Sequence, residues 1–171
     1  GNRLHDKPKD VRAELTEVLQ RAFDRGGSVI IPAFAVGRTQ ELLYLLREIK
    51  QKKLVHGHDG FPVYLDSPLA EEATSVFLQC DTDCFDPETQ AVLKSGQNPI
   101  WCPGLQLALT AEDSKAINSD SRPKVILSAS GMCDAGRIRH HLKHNLWMAE
   151  NIILIAGYQS KGTLGRALLD G

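Results

Sequence analysis

Residues 125–144 read VILSASGMCDAGRIRHHLKH, and this stretch decides the fold. It opens with Val125, Ile126 and Leu127, a short aliphatic run of the kind that forms a buried strand. It then turns small and polar through Ser128, Ala129, Ser130 and Gly131. After Asp134, Ala135 and Gly136 comes a segment carrying Arg137, Arg139, His140, His141, Lys143 and His144. Ile138, Leu142 and Leu146 recur there at helical spacing, so the segment is a basic helix with one buried face, from about Gly136 to Trp147. A strand that stops in serine and glycine and runs into a helix is a strand-to-helix unit.

The same unit recurs on both sides. Upstream, Val11, Leu15, Val18, Leu19 and Phe23 predict a helix that Gly26 and Gly27 stop. SVIIPA (28–33) is a strand, and Gly37 opens a helix whose apolar face carries Leu42, Leu43, Leu45, Leu46 and Ile49. PVYLDS (62–67) is a strand, with Pro68 suited to the first turn of the helix after it. Residues 87–95 form a short helix, LQLALT (105–110) a strand and AEDSKAIN (111–118) a short helix. Downstream, NIILIAGY (151–158) is the last strand, and GTLGRALL (162–169) begins the last helix. Strands alternating with helices predict an α/β fold of three layers, a mainly parallel sheet of about five strands flanked by helices. The likeliest loops by composition are 54–61 and 95–103. With no repeat, low-complexity tract or linker, residues 1–171 read as a single domain.

Composition narrows the function. Hydrophobic residues make up 42% and charged residues 24%, ordinary values for a globular protein. A net charge of −1 argues against coating nucleic acid wholesale but leaves room for a local basic groove. No apolar run is long enough to span a bilayer, so no membrane partner is expected. Cys80, Cys84, Cys102 and Cys133 match no common zinc spacing and read as reduced thiols, which places the protein in the cytoplasm.

In open α/β sheets ligands bind beyond the carboxyl ends of the strands. The segments that follow the strands here are PAFAVGRTQE (32–41), DSPLA (66–70), SASGM (128–132) and AGYQSKGTLG (156–165), all rich in glycine, hydroxyls and amides. Glycine lets backbone N–H groups approach an anion, and helix N-termini favour negative charge, so four such loops on one rim suggest a phosphate site. Turning and capping alone would use the same residues. Neither GxGxxG nor GxxxxGK[ST] follows a strand. Ser130 lacks the glycine two residues earlier that a nucleophile elbow requires. His56 and His58 in HGHDG (56–60) fit a surface loop, and His140 and His144 have no glutamate between them as in HExxH.

IPAFAVGRTQELL (31–43), YLDSPLA (64–70), SASGM with GRIRHHL (128–142) and AGYQSKGTLGRALLDG (156–171) together resemble the β-CASP family, metallo-β-lactamase-fold nucleases that process RNA. GNRLHD (1–6) looks like the segment after the family's Glu-Ser-Thr-Tyr stretch. The likeness is strongest to the bacterial and archaeal RNA-metabolising members, and it covers nearly the whole chain.

The resemblance implies a β-CASP cap domain, excised from a larger protein, that closes a cleft against a metallo-β-lactamase domain holding two zinc ions. It implies single-stranded RNA as partner and leaves a homodimer of the full-length protein open. Carried over by motif, Phe34, Gly37 and Arg38 line the cleft wall, and Ser67, Ser130, Gly131, Met132, Tyr158, Gln159, Gly162 and Thr163 match the rim loops. Arg137 begins the basic helix; Arg38 and Arg137 are the expected bidentate phosphate partners, removable without unfolding. Phe34 is the expected base-stacking ring, against the alternative of a core aromatic. The family's His-x-His-x-Asp-His motif is absent, so this segment is expected to hold no catalytic residue and no zinc, and His5, His140, His141 and His144 are not zinc ligands. The alternatives are the cap of a non-catalytic scaffold homologue and, less favoured, an unrelated phosphate- or nucleotide-binding α/β module.

Overall fold

The computed structural model describes residues 10–80, 83 and 85–171; the GNRLHD segment with His5, and Cys84, lie outside them. Among the described residues five strands and seven helices alternate. In chain order they are α1 (Val11–Phe23), β1 (Val29–Pro32), α2 (Arg38–Gln51), β2 (Val63–Asp66), α3 (Pro68–Gln79), α4 (Pro87–Lys94), β3 (Leu105–Leu107), α5 (Ala111–Ser119), β4 (Val125–Ser128), α6 (Ile138–Asn145), β5 (Ile152–Ile153) and α7 (Leu164–Asp170). The strands form one parallel sheet in the order β3-β2-β4-β1-β5.

The period-2 alternation of a strand splits its aliphatic residues between two cores. Val29, Ile31, Val63, Leu65, Val125 and Leu127 face one core, completed by Leu15 and Leu19 of α1 and by Leu42, Leu43, Leu46 and Ile49 of α2. Ile30, Tyr64 and Ile126 face the other, against Ile117 of α5 and Ile138 and Leu142 of α6. Both faces are covered, giving three layers.

The sheet order has a consequence for the rim. The helices that leave β1 and β2, α2 and α3, pack in the first core. Those that leave β3, β4 and β5, namely α5, α6 and α7, pack in the second. In the observed order each strand therefore sends its helix to the opposite face from its neighbour's. The outgoing loops diverge at every step, and a crevice opens along the carboxyl edge, the usual ligand position in such sheets.

Several elements end sooner than their apolar runs. β2 stops at Asp66 because Ser67 caps α3, its hydroxyl accepting from the Ala70 N–H. β3 stops at Leu107 because Thr110 caps α5 in a reciprocal box with Asp113. β5 is an edge strand paired only with β1 and holds ladder geometry over two residues. α6 begins at Ile138, two residues after Gly136. There φ is +78°, and a Cβ would lie 2.4 Å from the Ala129 carbonyl oxygen, so only glycine turns the chain at that point.

Candidate nucleic-acid interface

Pro32, Ser128 and Asp66 lie in register at the carboxyl ends of β1, β4 and β2. Asp66 is fully buried, an unusual place for a carboxylate, and its partners explain it. Oδ2 accepts from Ser114 Oγ at 2.5 Å and lies 2.6 Å from His141 Nε2. Oδ1 accepts from Arg137 Nη1 at 2.7 Å. Burial pushes the Asp66 carboxyl up, but the hydrogen bonds from His141, Ser114 and Arg137 outweigh it and hold the group below the usual carboxylate range. The polar chain continues inward: His141 Nδ1 lies 3.2 Å from Asn118 Oδ1, which also accepts from Asn145 Nδ2. Asn145 Oδ1 accepts from Asn151 Nδ2, and Asn151 Oδ1 from the Ser28 N–H. Ser114, His141 and Asp66 do not form a hydrolase triad, because the serine donates to the aspartate rather than to the histidine and the aspartate and histidine are sealed from solvent.

Arg137 therefore points inward. Besides Asp66, its Nη1 donates to the Ala108 carbonyl at 2.8 Å and its Nη2 to the Leu109 carbonyl at 3.0 Å. A bidentate phosphate contact would require these bonds to be given up. Its removal would also leave a buried carboxylate short of a partner, which does not fit the expectation that the side chain is dispensable for folding. Arg38 differs: it opens α2, and its Nη1 meets Glu41 Oε2 at 2.6 Å with both side chains largely in solvent. An exposed pair of this kind is worth about 0–1 kcal/mol, so the guanidinium can exchange its partner for a phosphate.

Phe34 and Gly131 meet where the loops after β1 and β4 diverge. The Phe34 ring lies against the Cα of Gly131, while its carbonyl accepts from Thr39 Oγ1 at 2.7 Å. Half of the residue stays exposed, 47%. Gln159 Nε2 donates to the Gly131 carbonyl at 2.8 Å, and Gly165 leaves the space that the Gln159 carboxamide fills. The Gly165 N–H in turn donates to the Met132 carbonyl at 2.9 Å. Tyr158 stands 76% exposed on the loop after β5.

The hydroxyls predicted at the rim are mostly occupied in shaping it. Ser67 caps α3, and Thr163 caps α7, accepting from the Arg166 N–H and donating to the Ser160 carbonyl. Ser130 Oγ donates to the Ala135 carbonyl and accepts from the Ala135 N–H. Gly37 and Gly162 turn the chain before α2 and α7 with φ of +84° and +85°. Phe34, Val36, Leu69, Leu109 and Tyr158 are exposed beyond the ends of β1, β2, β3 and β5, with the Arg38–Glu41 ion pair and Asp134 also facing solvent among them.

Asp66, Ser114, Glu41 and the apolar Leu69 and Leu109 escape a sequence reading. The available signal was the acid closing the aliphatic run of VYLD, a residue that a buried strand does not tolerate without partners. His140 and His144 pack edge to face, ring centroids 4.5 Å apart. Partial burial and then the neighbouring His144 and His141 push His140 below its usual range. His58 lies at the opposite edge of the sheet, 3.0 Å from Asp24 and against the Phe23 ring. Among the described residues no three His, Cys, Asp or Glu side chains converge to hold a metal, so they do not fit a zinc centre.

The chain is similar to known proteins. The family model described as the Beta-Casp domain matches residues 39–168. The chain is 39% identical over 171 residues to ribonuclease TTHA0252 of Thermus thermophilus, covering 99% of the chain and 38% of that protein. It is 36% identical over 164 residues to transcription termination factor FttA of Methanocaldococcus jannaschii, covering 95% of the chain and 25% of that protein. To an RNase J-like protein of the same organism it is 33% identical over 174 residues, covering 100% of the chain and 38% of that protein. The chain thus spans between a quarter and two fifths of the length of these relatives.

Proposed function

The chain belongs to the Beta-Casp family, and from that premise we propose that it is the RNA-contacting cap of a zinc-dependent ribonuclease. The cleavage chemistry belongs to a metallo-β-lactamase domain of the same protein, which would carry the two zinc ions. The work proposed for this chain is to hold and orient the strand.

One observation carries the reading. The crevice along the carboxyl edge is lined by exposed Phe34 and Tyr158 with Arg38 beside them, on loops fixed from below by buried polar contacts. Aromatic faces with a nearby cation are what a single strand needs, because every base has a face to stack and every nucleotide a charge to pair. The same edge exposes Val36, Leu69 and Leu109, an apolar fringe suited to closure against another domain. Arg38 is the phosphate partner, since its present bond is exposed and cheap to exchange. Arg137 is a positioning residue that ties the ends of β2 and β3 to the start of α6.

Binding of a labelled single-stranded RNA, followed by fluorescence anisotropy at several salt concentrations, tests this. The parent chain should bind weakly and with a shallow salt dependence, because each phosphate contact contributes a slope of only about −0.7. Arg38→Ala should weaken binding and flatten that slope by about that amount. Equal binding of single-stranded and duplex RNA, with no effect of Arg38→Ala, would overturn the reading.

A further inference from the structure

Helix α6 has an outer face unlike that of any other described helix: it alone contains no aspartate or glutamate. Ile138, His141, Leu142 and Asn145 form its buried side, which leaves Arg139, His140, Lys143 and His144 on the outer one. Arg139 and Lys143 lie one turn apart, and His140 and His144 form a second row beside them, ring centroids 4.5 Å apart. Lys115, exposed on α5, is close enough that its charge helps hold His140 below its usual range. Elsewhere Arg12, Arg38, Arg122 and Arg166 are each paired with a carboxylate. Among the described residues Lys115, Arg139 and Lys143 pair with none, and Arg139 Nη1 reaches only the Asp134 carbonyl at 3.5 Å. Trp147 follows one turn past Lys143 and stands 77% exposed. In a chain of net charge −1, such an uncompensated row is not a by-product of composition.

The row begins where the rim ends. The Ile138 N–H donates to the Ala129 carbonyl at 3.0 Å, which fastens the first turn of α6 to the loop after β4. A strand leaving the crevice past that loop meets Arg139, then Lys143, then Trp147. Donors without acceptors, repeated at one-turn spacing, suit a chain of repeated negative charge. Trp147 adds a flat face, which a base can use and a carboxylate side chain cannot. We propose that the outer face of α6, with Lys115 beside it, is a second contact for the RNA strand that grips its phosphates outside the crevice. The proposal rests on the RNA-cap reading and extends the footprint of the strand beyond the carboxyl edge of the sheet. Arg137 takes no part, because its guanidinium is turned inward onto Asp66.

The test compares two labelled single-stranded RNAs on the 171-residue chain by fluorescence anisotropy across salt concentrations. One has about four nucleotides and stays within the crevice; the other has about 15 and reaches α6. The double variant Arg139→Ala with Lys143→Ala should flatten the salt slope for the long RNA by about 1.4, at about 0.7 per phosphate contact. It should weaken the long RNA about 10-fold or more at low salt and leave the short one unchanged. Arg38→Ala should weaken both lengths. Arg25→Ala with Lys53→Ala removes the same charge from exposed turns at the amino edge of the sheet and should change neither. If that control flattens the slope as much as the α6 variant, the effect is one of overall charge and the proposal falls. If the α6 variant binds both RNAs like the parent, the second contact is wrong while the RNA reading stands. If it keeps its RNA affinity but loses binding of polyglutamate, the face serves an acidic protein partner and the RNA assignment is overturned. If the parent binds neither RNA at any salt concentration, the reading beneath the proposal fails and the proposal with it.

Discussion

The Phe34 ring lies so close to Gly131 that a methyl group on the glycine would sit 2.8 Å from ring carbon Cδ2 and 3.0 Å from the Phe34 backbone nitrogen. This contact joins the loops after β1 and β4, two adjacent strands whose helices leave on opposite faces of the sheet. The crevice and the aromatic wall are therefore one feature.

Gly131→Ala should push the Phe34 ring from its seat, because the added methyl would meet the ring under 3.0 Å, and rotating the ring away still leaves the Phe34 backbone nitrogen at 3.0 Å. We expect weaker single-stranded RNA binding, by about the same 1–3 kcal/mol as loss of one stacking face. Anisotropy titration checks it, with Gly60→Ala, where an added methyl meets nothing within 4 Å, as the control for a generic glycine effect.

Asp66→Asn should destabilise the fold far more than any rim variant. It leaves Arg137 and His141 facing a neutral amide inside the protein, and breaking a buried pair costs about 3–5 kcal/mol. Urea unfolding of the parent and the variant measures this directly; a loss within the range of an exposed ion pair would remove Asp66 from the centre of the network.

Acid should expose the same group. Asp66 is held below the usual carboxylate range when folded, so its contribution to stability is present above the unfolded value and fades as pH falls through about 4 and on through the folded value. Unfolding free energy should already slip as pH falls through about 6.5, where His140, held below its usual range when folded, favours the unfolded state, and should decline more steeply below about 4, with that steep part shallower in Asp66→Asn. Asp120, held down by Arg122 despite partial burial, adds to the decline in both proteins, so the difference between them isolates Asp66.

The thiols should separate by burial. Burial pushes Cys102 up to about 11 and raises Cys133 as well, whereas Cys80 is exposed. An alkylating reagent at pH 8 should label Cys80 in the folded protein and reach Cys102 and Cys133 only in denaturant, as read by peptide mass spectrometry.

Much of this architecture is legible in the sequence because burial on both faces leaves unbroken aliphatic runs such as Val125–Leu127. The ends of those runs are less legible. Ser67 and Thr110 look like continuations of strands and are helix caps, a role fixed by the N–H groups three residues on. The inward turn of Arg137 was invisible because its partner, Asp66, is 71 residues away and becomes a neighbour only through the pairing of β2 with β4. The seat of Phe34 on Gly131 likewise depends on β1 lying beside β4, and strand order is a tertiary property that local periodicity does not encode.

The most direct test of the RNA-cap account is ultraviolet crosslinking of a uridine-rich single-stranded RNA to the chain, with the crosslinked residues identified by mass spectrometry. The account predicts crosslinks in the segments after β1 and β5, at Phe34 and Tyr158 above all. Crosslinks confined to Trp101 or Trp147, aromatics exposed outside the carboxyl-edge crevice, would contradict it.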